Sequence, residues 1–190
     1  MDIFDAVRRT IIDNEIGCDA TLAYVFSKAK GGKSGRSFGI CQFDINNNPS
    51  SLLCLRECEF TTDEVWELKN TFPLELEPFN EKLKLHHDIV DRWDGQQIRD
   101  CITRVENNCT RGGFIPADMT AKVMMCDYNN QYNFSVGGKL YAFCQTLKRP
   151  VTAGDIYGFK KLTKWGQEDP EDVKHRYNTV LKVMQGDASC

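Results

Sequence analysis

From Thr61 onward the chain is divided at short intervals by helix start and stop signals. This punctuation constrains the fold more than any other feature, because it leaves room mainly for packed helices. Thr61-Thr62-Asp63-Glu64 sets a capping residue ahead of acids in a first turn. The helix it opens is expected to reach about Thr71, where Pro73 stops it. Further helices are expected over 79–93, ending before Gly95, and over 96–107. Pro116-Ala117-Asp118 starts one that should reach Tyr128, and two more are expected over 137–148 and 153–164. Asp169-Pro170 opens the last, with proline at the first helical position, and it should run to about Met184.

The first 60 residues are more mixed. Residues 1–16 read as a helix, with Asp2 as its cap and Asp5 in its first turn. Residues 20–45 carry β-branched and aromatic side chains around a Gly-Gly-Lys-Ser-Gly turn, the pattern of a short hairpin with a basic loop. Pro49 and Ser50 open a short helix through Cys58. The expected fold class is therefore mainly α (α+β), with a small β-hairpin region near the N-terminus. A length of 190 residues, with no repeat or linker, points to one domain over 1–190.

Composition removes several function classes. The formal charge is -3, so nothing global recruits nucleic acid or an anionic membrane. No apolar run approaches the ~20 residues of a membrane span. The N-terminal stretch lacks a basic region followed by an uninterrupted apolar one, and no secretory signal is read there. The nine cysteines include no Cys-x-x-Cys pair. Cys54 and Cys58 could be combined with His86 and His87 into a zinc site, but the spacing fits no usual pattern. They are expected to pack as small apolar residues on one helix face, and Cys190 is expected to be a free tail thiol. Gly31-Gly32-Lys33-Ser34 resembles part of a phosphate loop, but Ser27 stands where its first glycine should be and no helix is expected after Ser34.

One carboxylate stands out. Phe4, Val7 and Ile11 follow the spacing of a buried helical stripe. At about 100° per residue, Glu15 falls within roughly 40° of Ile11 on that same stripe, whereas Asp13 falls opposite. Burial there would favour the protonated acid, which is what general acid catalysis requires. A glutamate reaching back to solvent, or to Arg8 or Arg9, is the plain alternative.

Three segments then stand in order: Asn14-Glu15-Ile16-Gly17, Ser37-Phe38-Gly39-Ile40-Cys41-Gln42-Phe43-Asp44, and Cys126-Asp127-Tyr128-Asn129-Asn130-Gln131. Together they resemble the lysozyme-like superfamily, especially goose-type lysozymes, soluble lytic transglycosylases and some phage endolysins. In those families a catalytic Glu ends a helix, a Gly-aliphatic-x-Gln segment lines the sugar cleft, and an Ala-Tyr-Asn type motif follows later. The resemblance implies Glu15 as general acid and Gly39, Gln42, Tyr128 and Asn129 as substrate-binding residues. Protonating the poor leaving-group oxygen of a β-1,4 glycosidic bond is the task of such a glutamate. Gly39 would let backbone approach the sugar, and Gln42 would offer donors and acceptors to it. A strand bulge at Gly39, a solvent-facing strand position for Gln42, and a helix end capped by Asn129 are the plain alternatives.

The departure from the family lies in the second carboxylate. No Asp or Glu occurs from Ala20 to Phe43, so Asp44 is the only matched base for a hydrolase. If Asp44 instead caps the following Ile-Asn-Asn-Asn turn, one carboxylate remains. A lytic transglycosylase needs only one, because the substrate's own 6-hydroxyl attacks.

The expected function is thus a peptidoglycan glycan-strand hydrolase with Glu15 and Asp44 as catalytic residues. Alternatives are a lytic transglycosylase, a chitinase or chitosanase, and a non-catalytic glycan-binding module. No metal or organic cofactor is implied. Lys28, Lys30, Lys33 and Arg36 would form either a basic lip attracting murein carboxylates or an ordinary solvated loop. The expected partner is the glycan strand of peptidoglycan, with an immunity or inhibitor protein as a further one. Synthesis in the cytoplasm, then action on the cell wall after holin release or delivery by a secretion apparatus, is the expected localisation.

Overall fold

The computed structural model describes residues 1–28 and 34–187, and its backbone divides into two compact units. One comprises 15–97; the other joins Met1–Asn14 to the chain from Ile98 onward. The fold is mainly α with a small antiparallel sheet near the N-terminus. Among the described residues, no helix is long and apolar enough to cross a membrane.

Helix α1 (Ile3–Ile16) begins where Asp2 accepts the Asp5 amide at 2.8 Å and ends at Gly17, whose φ of 59° leaves the helical region. The unit 15–97 then opens with a short 3-10 turn (Ala20–Tyr24) and three strands, β1 (Ser27–Lys28), β2 (Arg36–Phe38) and β3 (Phe43–Asp44). They pair antiparallel in chain order, with Ser27 opposite Ser37 and Phe38 opposite Phe43. Helices α2 (Pro49–Glu57), α3 (Thr62–Asn70) and α4 (Glu77–Leu85) follow. The core of this unit is aromatic. Phe26, Phe38, Phe43, Phe60 and Phe79 form a chain of ring contacts with centroids 5.5–6.4 Å apart. Phe38 and Phe43 are fully buried, each worth about 1.5–3 kcal/mol of transfer free energy.

The basic loop is only partly described. Lys30 and Lys33 lie outside the described residues. Arg36 is not a lip residue: it is 3% exposed and donates to the carbonyls of Leu68 and Thr71, tying β2 to the end of α3. Lys28 sits 3.8 Å from the centre of the Phe72 ring.

Helix α5 (His87–Gly112) corrects the sequence reading, which ends one helix before Gly95 and starts another after it. A glycine inside a helix costs only about 1 kcal/mol. The buried stripe of Val90, Ile98 and Val105, each at 0% exposure, outweighs that penalty. The second unit adds α6 (Met119–Tyr132), α7 (Lys139–Thr146), α8 (Ala153–Leu162), α9 (Lys164–Glu168) and α10 (Pro170–Gln185). Asp118 and Asp169 cap α6 and α10 as expected. Helix α6 runs a full turn past Tyr128. Helices α6, α8 and α10 pack on one another around Asp127, whose carboxylate is 1% exposed. It accepts from Asn14 at 2.9 Å, Lys160 at 3.1 Å and Arg176 at 3.0 Å. Burial alone would raise the Asp127 carboxyl, but the Lys160 and Arg176 charges outweigh it and hold it below the usual range.

Cys54 and Cys58 are fully buried at the end of α2. Cys18 is disulfide-bonded, and Cys190 lies outside the described residues.

Candidate functional site

Glu15 occupies the last turn of α1 and is half-buried, between the buried Ile12 and Ile16. The helix stops one residue beyond it, because Gly17 and Cys18 both take positive φ, 59° and 65°. The last turn of α1 therefore carries the carboxylate.

The segment Gly39–Gln42 forms the tight turn between β2 and β3. The Gly39 amide donates to the Ala23 carbonyl at 2.7 Å, and the Gln42 amide donates to the Gly39 carbonyl at 3.1 Å. Gly39 has φ of 74°, and a Cβ there would lie 2.8 Å from both Asp94 Oδ1 and a Phe43 ring carbon. Conformation and space both demand glycine, and the groups that fill the space belong to the protein itself. Gln42 is a non-glycine residue at φ of 54°, an uncommon conformation that the turn imposes. Its side chain donates to the Gly39 carbonyl at 3.1 Å and accepts from Ser27 Oγ at 2.8 Å. A glutamine amide has two donors and two lone pairs, and among the described residues these two bonds use one of each. Gln42 is half-exposed, with its side chain held by these two bonds.

Asp44 serves the turn that follows. Its Oδ1 accepts the amides of Gly35 at 3.0 Å, Asn46 at 2.8 Å and Asn47 at 3.3 Å, and its Oδ2 accepts Asn47 Nδ2 at 2.7 Å. Partial burial raises this carboxyl. The bonds from the Asn47 side chain and from the Asn46, Gly35 and Asn47 amides outweigh that and hold it below its ordinary value. Of the two roles open to Asp44, these hydrogen bonds are those of an Asx cap.

Tyr128 and Asn129 belong to the other unit. Tyr128 is 5% exposed, within ring contact of Tyr132, Phe134 and Phe159, and burial raises its hydroxyl pKa. It is a core residue with little surface to offer a sugar. Asn129 accepts the Phe134 amide at 3.1 Å and donates to Cys101 Sγ at 3.2 Å, closing the chain behind α6. The residue that terminates this helix in a positive-φ conformation is Asn133, at 58°. Glu15, Gly39, Gln42 and Asp44 therefore share one unit, and Tyr128 and Asn129 do structural work in the other.

Sequence reasoning missed two participants. Ser27 holds Gln42, and Asp94 lies against Gly39 from a helix more than fifty residues away in the chain. Neither belongs to a motif, and only the fold brings them to the turn. No protein-family model, curated protein or solved structure matches the chain.

Proposed function

We propose that this chain cleaves the β-1,4-linked glycan strand of peptidoglycan, with Glu15 as the general acid and Gln42 as a sugar-binding group. The observation that carries the reading is the half-buried Glu15 in the last turn of α1, in the same compact unit as the strained turn that holds Gln42. A glutamate carboxyl there can give a proton to the glycosidic oxygen as the C1–O bond breaks.

Two fates of the resulting muramyl cation divide the proposal. A hydrolase needs a second carboxylate to take a proton from water, and Asp44 is the candidate. The four hydrogen bonds that Asp44 already accepts favour the other fate. There the 6-hydroxyl oxygen of the same muramyl residue bonds to C1, and its proton returns to Glu15. The product is a 1,6-anhydromuramyl end, and no water is consumed.

Mass spectrometry of soluble products from purified murein tests this. The transglycosylase reading expects muropeptides lighter by one water than hydrolysis products. Reducing-end muropeptides would restore Asp44 as a base, and murein left undigested would refute glycan cleavage altogether.

A further inference from the structure

Asp94 lies on the buried stripe of α5, between Val90 and Ile98, and is 2% exposed. A carboxylate is costly in such a place unless its oxygens are used. Its Oδ2 accepts the Ile40 amide at 2.9 Å, and its Oδ1 accepts the Cys41 amide at 3.0 Å. The Cys41 thiol also reaches the Asp94 carbonyl, at 3.8 Å. Gly39 completes the fit, since any Cβ there would meet Asp94 Oδ1 at 2.8 Å. Two consecutive amides pointing at two oxygens require two acceptors and no donor. Among buried side chains of this size only an ionised carboxylate provides that, because asparagine would turn an NH2 group toward one amide.

We propose that Asp94 is the positioning residue of the candidate site: its carboxylate latches the Gly39–Gln42 turn and so sets Gln42 against the substrate. The proposal rests on the glycan-cleaving reading for its functional half. The latch is proton-sensitive. Burial pushes the Asp94 carboxyl up to about 7, against the Cys41 and Ile40 amides that hold it down, and the nearby Asp91 charge adds to the rise. The ionisable groups it meets are Asp91 on α5, Cys41 on the turn and Cys54 on α2. Among the described residues no lysine or arginine pairs with it, and the groups that favour its charge are the Ile40 and Cys41 amides and the Cys41 thiol. Protonation turns one of the two oxygens into a hydroxyl, a donor and a weaker acceptor, so the turn is held less firmly.

The experiment follows the Ile40 and Cys41 amide proton shifts of the full chain by NMR from pH 5 to 9, beside turnover of purified murein. The expected result is a shared titration of both amides with a midpoint near 7. Asp91→Asn, at an exposed position on the same helix, should move that midpoint downward by removing a like charge. Asp94→Asn should abolish the titration and raise the apparent KM roughly tenfold or more, with a smaller effect on kcat, because Gln42 binds while Glu15 transfers the proton. Amides that do not titrate, or an Asp94→Asn protein with unchanged KM, would overturn the latch. Titrating amides in a wild-type protein that leaves murein intact would keep the latch and overturn the glycan reading instead.

Discussion

Replacing Asp127 with asparagine removes one charge from a site closed to solvent. The side chains of Asp127 and Lys160 are 1% and 0% exposed, and Arg176 is 8% exposed. Asparagine can still accept from Asn14 and Arg176, but Lys160 is left with Gln131 Oε1 at 2.7 Å as its neutral partner. Breaking a buried ion pair from one side costs roughly 3–5 kcal/mol, because the remaining charge stays desolvated. For a chain of this size that is a fall in Tm of roughly 6–20 °C, at about 2–4 °C per kcal/mol. The pH dependence follows from the depressed Asp127 pKa. A lowered folded-state pKa contributes stability that is present above the unfolded value and is lost as pH falls through the folded one. The wild-type advantage should therefore be full at pH 7 and shrink below about pH 4. Circular dichroism melts of both proteins at pH 7 and pH 3.5 measure it. A second cycle with Lys160→Met should recover part of the loss, since the double variant leaves fewer unpaired charges. A loss below 1 kcal/mol at pH 7, or one that does not diminish in acid, would refute the reasoning.

Asp44→Asn should cost about 1 kcal/mol of stability, as for a lost cap, and leave turnover per folded molecule nearly unchanged. A fall of orders of magnitude in that turnover would instead identify Asp44 as the base. Gly39→Ala should destabilise by about 2–4 kcal/mol, combining a left-handed backbone with a methyl group forced against Asp94 and Phe43. Urea titration reads the loss, and a neutral result would mean that the turn opens readily.

Much of the helical frame was legible because its signals are local. Thr61 and Glu64 form the reciprocal capping box that their spacing predicts, and Asp169-Pro170 starts α10 where it should. The continuity of α5 was not legible. Gly95 looks like a stop in isolation, and the stripe of Val90, Ile98 and Val105 that overrides it draws its energy from tertiary burial. The candidate site divides in the same way. The end of α1 at Glu15 follows from helical periodicity and Gly17. The roles of Asp44 and Asn129 depend on whether their lone pairs are already used, which no spacing rule states. Asp94 and Lys160 were invisible for a related reason. A charged residue on a helix reads as a solvated face until its long-range partners are known.

The most direct test of the central claim is the release of soluble muropeptides from purified murein by wild-type protein and by Glu15→Gln, side by side. The substitution keeps the side chain's shape and removes the transferable proton, and general acid catalysis is typically worth ~10²–10⁴-fold. The account predicts release by the wild type and a loss of at least that order in a Glu15→Gln protein with an unchanged melting curve. Equal release by the two folded proteins would contradict it.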